Sequence, residues 1–135
     1  MIRVMAHIAA IVCAASIASC GLQGTFGFKK FGQDAYHRLD GVPEFASDET
    51  VEWAYVFRKK YGERTIGIVY QKKELVWVEM LTGTGRIDEF NRIVYGTIRD
   101  FPPGAYQIVL TDLKNDNRLI ATKEFVIYER DAGED

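Results

Sequence analysis

Short apolar segments with a two-residue period dominate the chain from residue 51 onward. In "VEWAYVF", Val51–Phe57, an aromatic side chain stands at every second position from Trp53, which is typical of a strand with one face in a core. Five further β-branched or aromatic segments follow, at 65–70, 75–81, 92–98, 105–110 and 119–128. The turn-forming groups "KKYGE", "QKKE", "TGTG", "FPPG" and "KNDN" separate them. The pattern predicts an all-β antiparallel sandwich or barrel, in which "RIDEFNRI" contributes at most one helical turn.

One corner favours the sandwich and carries a resemblance. In "FPPGAYQIVL" a proline-glycine turn precedes Tyr106 at the start of a strand. This resembles the tyrosine corner of immunoglobulin-like and fibronectin type III-like domains, whose phenol oxygen bonds to upstream backbone. Trp77 resembles their core tryptophan, and Ile108, like Ile66 or Ile68, stands where antibody domains carry a cysteine. The resemblance implies an immunoglobulin-like β-sandwich of about six to eight strands, with Trp77, Tyr106 and Ile108 in its core.

The amino-terminal residues have the pattern of a secretory signal peptide. Arg3 precedes the apolar run "IAAIVCAASIA", Ile8–Ala18, which is about half of the roughly 20 residues that a membrane-spanning helix needs. The run ends in small residues rather than in a basic flank, so it is typical of a leader that is removed.

The end of this run resembles the lipobox of bacterial lipoproteins. Its residues are Ile17-Ala18-Ser19-Cys20. The resemblance implies cleavage between Ser19 and Cys20, acylation of Cys20, and attachment of the mature chain to an envelope membrane. Gly21 follows where Asp commonly retains enteric lipoproteins at the inner membrane, which favours the outer membrane. An ordinary cleaved signal with an incidental cysteine is the alternative.

Four regions follow from these patterns: a signal peptide at 1–19, a lipid-attached tether at 20–49, a β-sandwich at 50–129 and an acidic tail at 130–135. The tether is rich in glycine and has no regular period. Its aromatic residues are unusually many for a spacer; they are Phe26, Phe28, Phe31, Tyr36 and Phe45. Two interpretations stay open: some of them pack on the domain as an added edge strand, or they dock on a partner.

Composition excludes several functions. Without Arg3, 16 basic side chains oppose 19 acidic ones, so the chain lacks the basic excess of a nucleic-acid-binding protein. Its two cysteines, Cys13 and Cys20, are respectively removed and acylated in the lipoprotein interpretation, so no disulfide is expected in the mature chain. The core must then be held by apolar packing alone.

The residues that catalysis or metal binding would need are scarce. Past the predicted cleavage site the chain has one serine, Ser47, and one histidine, His37, and neither lies in a recognisable motif. Adjacent Asp88 and Glu89 would point to opposite faces of a strand. "DLKNDN", 112–117, could offer oxygen ligands to calcium, but its Asn and Asp residues are explained by the turn. We therefore predict no catalytic residues, no metal and no cofactor.

Two basic clusters are expected to lie at opposite ends of the sandwich. Arg58, Lys59, Lys60 and Arg64 flank the first hairpin, and Lys72 and Lys73 lie in the second. Successive turns of antiparallel strands alternate between ends, so the sequence predicts a solvated surface rather than one basic patch.

The leading functional hypothesis is a membrane-tethered binding or assembly module that contacts another envelope protein or an external ligand. The candidate contacts are the tether aromatics and two loops, represented by Phe26, Phe28, Phe31, Thr84, Arg86, Asn115 and Asn117. The alternatives are a small periplasmic inhibitor or chaperone, a structural lipoprotein within a larger complex, and an enzyme that uses carboxylates alone, which composition disfavours.

Overall fold

A computed structural model describes residues 23–131, which are almost entirely β-structure. The strands are β1 (Gly24–Lys30), β2 (Glu44–Ala46), β3 (Val51–Phe57), β4 (Arg64–Lys73), β5 (Trp77–Ile87), β6 (Ile93–Ile98), β7 (Gly104–Asp112) and β8 (Arg118–Tyr128). A single 3₁₀ turn, Leu113–Asn115, is the described helical element. The predicted all-β class with six to eight strands is confirmed. The lipobox, Cys20 and residues 132–135 lie outside the described residues.

The strands form two sheets of unequal size. The smaller sheet has the order β1-β3-β6, and the larger has the order β2-β8-β7-β4-β5. All pairings are antiparallel except that of β2 with β8. Strand β6 follows β5 directly along the chain but belongs to the smaller sheet. The larger sheet has five strands and the smaller sheet has three, so within the described residues part of the larger sheet has no partner strand opposite it.

The core lies between the sheets, where the two-residue period of each strand places its apolar side chains. On β3 the buried positions include Val51, Trp53, Tyr55 and Phe57. Facing strands of the larger sheet contribute further buried residues, which are Ile66, Ile68, Tyr70, Tyr106, Ile108, Leu110, Phe125 and Ile127. Aromatic rings in edge and tilted contacts fill the centre of the core.

Tyr106 forms the corner that its sequence context indicated. Its hydroxyl donates a hydrogen bond to the carbonyl oxygen of Pro102, four residues upstream. Its ring stacks on Phe125 with a centroid distance of 5.5 Å and contacts Phe101 at 5.1 Å. Tyr106 and Ile108 are both fully buried, so the turn between β6 and β7 is fixed to the core by one polar contact and two ring contacts.

The core tryptophan is Trp53, not Trp77. Trp53 on β3 is 0% exposed, and its indole N–H donates to the hydroxyl of Tyr70 at 3.0 Å. Trp77 is only partly buried, at the start of the outermost strand of the larger sheet, where the Lys73 ammonium lies 4.9 Å from its ring. The prediction for Trp77 was wrong because an apolar run on an edge strand has the same sequence pattern as one on a buried strand.

Most of the predicted tether is part of the domain. Strand β1 pairs with β3 along seven residue pairs, from Gly24 with Phe57 to Lys30 with Val51. Phe28 and Phe45 are buried and contact each other at 5.5 Å between ring centroids. Of the two interpretations, packing on the domain therefore holds for this part of the segment. Residues 86–93, considered for a helical turn, are instead the end of β5 and the turn into β6.

Candidate functional site

Two ends of the sandwich must be distinguished to place the candidate residues. Residue pairs Gly24–Phe57, Arg64–Ile87 and Asp112–Arg118 lie at one end, which we call the N-terminal end because β1 begins there. Pairs Lys30–Val51 and Lys73–Trp77 lie at the other, which we call the far end. As predicted, the cations of residues 58–60 and those of residues 72–73 lie at opposite ends.

The three aromatic candidates of the tether have different environments. Phe28 is buried, and Phe26 packs against Trp53 and Tyr55 with centroid distances of 6.0 and 4.8 Å. Phe31 is 76% exposed just after β1, at the far end. Phe31 is therefore the most exposed of the three, while Phe26 is partly buried.

The four candidates from the loops, Thr84, Arg86, Asn115 and Asn117, have two kinds of environment. Two of them line an open groove, and the other two are engaged in contacts with neighbouring side chains. Thr84 and Asn117 line an open groove of about 450 Å³ on the outer face of the larger sheet. Arg86 forms an ion pair with Glu63, and the amide of Asn115 donates to the Asp112 carboxylate at 2.9 Å. The groove is lined mainly by Gly, Thr and aliphatic residues, so it offers few groups that could orient a small ligand.

Asp112 has a structural explanation for its buried carboxylate. It is 1% exposed and accepts a 2.6 Å bond from Arg64 Nη1. It also caps the 3₁₀ turn by accepting from the backbone N–H of Lys114 at 3.1 Å. These bonds, with that from Asn115, engage both carboxylate oxygens of Asp112. Within residues 23–131, no group of three or more His, Cys, Asp or Glu residues could hold a metal ion.

His37 and Ser47 are held by backbone bonds to different strands. His37 exchanges two backbone hydrogen bonds with Phe28 on β1, at 2.8 and 2.7 Å, and its side chain is exposed. The Ser47 N–H donates to the carbonyl of Tyr128 at the end of β8. Each residue thus has a structural role in closing a loop onto the sandwich.

An uncovered apolar surface on β5 is the feature that sequence analysis missed. Pairing with β4 directs Val78 and Leu81 to the core side of the larger sheet, opposite Lys72 and Tyr70. They are nevertheless 45% and 51% exposed, and Met80, at the β-bulge between them, is also exposed. In the described part of the chain, no strand of the smaller sheet lies beneath them.

The separation of β5 from β6 explains this exposure. Near the N-terminal end, β6 packs closely under β5, since a Cβ on Gly85 would lie 2.9 Å from Val94 Cγ1. Two residues nearer the far end, a Cβ on Gly83 would meet no atom within 4 Å. The two strands therefore diverge toward the far end, and the core side of β5 opens to solvent there.

The β4–β5 turn extends this surface to the far tip of the domain. Leu75 is 100% exposed and Val76 is 67% exposed. Both lie in the three-residue turn that Lys73 and Trp77 close. We call Leu75, Val76, Val78, Met80 and Leu81 the apolar edge. These five exposed residues lie within the seven positions 75–81, and large exposed apolar patches mark interaction sites in soluble domains.

Four charged residues adjoin the apolar edge along the chain, and some of them are engaged; they are Lys72, Lys73, Glu74 and Glu79. Lys72 Nζ lies 3.8 Å from a Glu74 carboxylate oxygen and 5.9 Å from the Tyr106 ring. Burial raises the pKa of the Tyr70 hydroxyl beneath this region, although its hydrogen bond with Trp53 acts in the opposite direction. The apolar edge is thus bordered by charged groups, two of which lie within ion-pair distance of each other.

Among residues 23–131 there is no helix both long and apolar enough to cross a bilayer. No protein-family model and no curated protein sequence matches this chain.

Proposed function

We propose that the chain is a lipid-anchored protein of the bacterial envelope that acts as a binding or assembly module, with no catalytic activity. The lipobox resemblance of Ile17-Ala18-Ser19-Cys20 supports the anchor. Gly21 supports the outer membrane over the inner membrane. The observation that carries the binding role is the apolar edge, because its five residues are exposed although a sandwich of this size gains its stability by burying such side chains.

An immunoglobulin-like assignment of the sandwich is part of this proposal. It is supported by the Tyr106 corner between β6 and β7 and by the division of the strands into β1-β3-β6 and β2-β8-β7-β4-β5. Domains of this class bind through end loops or through an exposed strand edge, and the apolar edge combines both.

The position of the apolar edge favours a protein partner over the anchoring bilayer. Gln23 comes three residues after Cys20, so their Cα atoms lie at most about 11 Å apart. Strand β4 then runs ten residues from the N-terminal end to the far end, which is about 33 Å. A lipid anchor on Cys20 would hold the N-terminal end at the membrane, while Leu75 points into the aqueous compartment.

Photo-crosslinking in the native membrane tests the proposal. A photoreactive residue replaces Leu75, and in a matched variant it replaces Leu119, which is exposed on the outer face of the larger sheet. We expect a discrete adduct from position 75 that is absent from position 119. Adding Met80→Ser and Leu81→Ser should remove the adduct, since both side chains are exposed and the fold tolerates their loss.

The proposed binding role would be refuted by the absence of an adduct at position 75, or by the same adducts from both positions. Mass spectrometry of the mature protein tests the anchor independently. An unmodified thiol on Cys20, or an uncleaved leader, would refute the lipoprotein assignment whatever the crosslinking result.

A periplasmic inhibitor or chaperone is the second candidate, and one observation favours it. Strand β6 pairs with β3 alone among the described strands, so its other edge is available next to the uncovered side of β5. An extended client segment with alternating apolar residues would add to β6 and cover Val78 and Leu81. This candidate predicts tight binding of one client by the unacylated chain in the absence of membrane.

A further inference from the structure

We infer that the N-terminal end of the domain lies directly on an anionic bilayer surface, through the cations Arg58, Lys59, Lys60 and Arg92 and the aromatic ring of Phe90. We call these five residues the membrane-facing end. The inference rests on the proposed acylation of Cys20 and adds a fixed orientation of the domain on the membrane.

The anchor segment leaves the domain beside these cations. The backbone N–H of Arg58 donates to the carbonyl oxygen of Gln23 at 2.8 Å. Arg92 Nη1 in turn donates to the carbonyl of Arg58 at 3.4 Å. Since Gln23 can be no more than about 11 Å from Cys20, an acylated Cys20 would keep Gln23 within about one Debye length of the lipid headgroups, and Arg58 is hydrogen-bonded to Gln23.

The cations of this end are available to lipid phosphates. Arg58, Lys59, Lys60 and Arg92 are all exposed, and none of the ion pairs found within residues 23–131 involves them. Each Lys or Arg close to an anionic leaflet strengthens membrane association roughly fivefold.

Among residues 23–131, the surface carboxylates of this end are Glu63, Asp88, Glu89 and Asp116. Glu63 pairs with Arg86, and Asp88 accepts hydrogen bonds from the backbone N–H groups of Phe90 and Asn91 at 2.8 and 2.9 Å. Glu89 in the same turn and Asp116 in the turn between β7 and β8 are exposed, and together with the charge of Asp88 they oppose lipid contact. The four cations of the membrane-facing end outnumber these three carboxylates.

Phe90 supplies an apolar contact at the same end. It is 91% exposed, although the turn that carries it is fixed by the two bonds to Asp88. An aromatic ring held in solvent beside a group of cations is the combination that favours the interface of a bilayer, where the ring enters the headgroup layer and the cations remain at its surface. A protein partner at this end would have to displace the membrane that the short anchor holds there.

A thiol-labelling experiment on the acylated protein tests this orientation. The natural cysteines are Cys13 in the leader and Cys20, so Phe90→Cys gives the mature acylated chain a single reactive thiol for an environment-sensitive fluorophore. Leu75→Cys, at the opposite end and fully exposed, is the matched control. Each labelled protein is reconstituted in vesicles of phosphatidylcholine with phosphatidylglycerol, and in vesicles of phosphatidylcholine alone.

With phosphatidylglycerol present, we expect a blue-shifted emission at position 90 that lipid-borne quenchers suppress, and an aqueous emission at position 75. Adding Lys59→Glu and Lys60→Glu to the Phe90→Cys protein should abolish the blue shift. Its loss in phosphatidylcholine alone would confirm the dependence on anionic lipid. Circular dichroism checks that the exposed substitutions leave the fold unchanged.

An aqueous emission at position 90 in anionic vesicles, with Cys20 acylated, would overturn this inference and leave the proposed function standing. The same would follow if the label became shielded only on addition of another envelope protein, or if charge reversal had no effect. An unacylated Cys20 in the natural protein would instead overturn the proposed function itself.

Discussion

Replacing Trp53 by alanine should destabilise the domain much more than the same replacement at Trp77. Trp53 is completely buried between the sheets and contacts the rings of Phe26 and Tyr70. Trp77 lies on the outermost strand of the larger sheet and is only partly buried. The Lys73 ammonium lies over its ring. The comparison separates a core role from an edge role for the two tryptophans of the chain.

The size of the effect follows from burial. Removing a fully buried Trp side chain costs about 3–5 kcal/mol of unfolding free energy, and the Tyr70 hydroxyl loses the indole donor 3.0 Å away, which adds about 1 kcal/mol. A domain of this kind has a total stability of about 5–15 kcal/mol. Trp53→Ala should therefore remove a large part of it, whereas Trp77→Ala should cost about 1 kcal/mol or less.

Urea unfolding, followed by far-UV circular dichroism, measures both losses of unfolding free energy. We expect the two variants to have the same dependence of unfolding free energy on urea concentration. Trp53→Phe and Trp77→Phe supply milder versions, and each leaves one tryptophan as a fluorescent reporter. Trp53 should emit at short wavelength in the folded state and Trp77 at longer wavelength. Equal costs for the two alanine variants, or a larger cost at Trp77, would refute the assignment of Trp53 as the core tryptophan.

Three further predictions concern polar contacts of the core. Tyr106→Phe should cost about 1 kcal/mol because the bond to the upstream carbonyl is lost while the ring packing stays; Tyr95→Phe, at an exposed ring, should cost nothing in the same melts. Asp112→Asn should cost about 2–3 kcal/mol in urea unfolding, since it weakens the pair with Arg64 and the turn cap together; a change below 0.5 kcal/mol would contradict the role assigned to this carboxylate. Burial raises the pKa of Tyr70 above the ordinary value of about 10. Its contribution to folding stability is therefore complete below pH 10 and is lost as the pH rises through the raised pKa. Tyr70→Phe should lessen this alkaline loss of stability, and ultraviolet titration of the variant should show one fewer phenol that ionises at high pH.

The local pattern of apolar and polar residues was sufficient to predict the strands in which these residues alternate. On β3 and β7 the apolar residues recur every second position, and both strands form as the period requires. The corner at Tyr106 was recognisable because a proline-glycine turn must precede the strand for the phenol to reach back. These features depend on neighbours within a few residues, so they can be read along the chain.

Whether the segment of β1 is an added edge strand stayed open in the sequence, because its glycines reflect contacts with distant residues. A Cβ on Gly27 would lie 3.0 Å from Tyr36 Cβ, and a Cβ on Gly24 would overlap the carbonyl oxygen of Val56. Glycine is usually depleted in strands but is required where another part of the chain approaches this closely. A segment that resembles a flexible tether was therefore an ordered edge strand.

The apolar edge shows a second limit of the same kind. The run from Leu75 to Leu81 has the composition of a buried strand, and the sequence gives no sign that three strands would face five. Whether Leu81 is covered depends on the path of β6, which packs under Gly85 and then leaves Gly83 in open space. Exposure here is a property of two sheets of unequal width rather than of the residues themselves.

By itself, the sequence determined an all-β chain with an apolar core and a corner at Tyr106, because these depend on local period and on short motifs; the leader and its lipobox stay predictions. Tertiary structure decided which tryptophan is buried, where the domain begins, and which apolar residues face water. It also placed the cations of residues 58–60 beside Gln23, through the bond from the Arg58 N–H to the Gln23 carbonyl. Those properties depend on which strands pair and which sheets overlap, and such long-range geometry has no counterpart in the order of neighbouring residues.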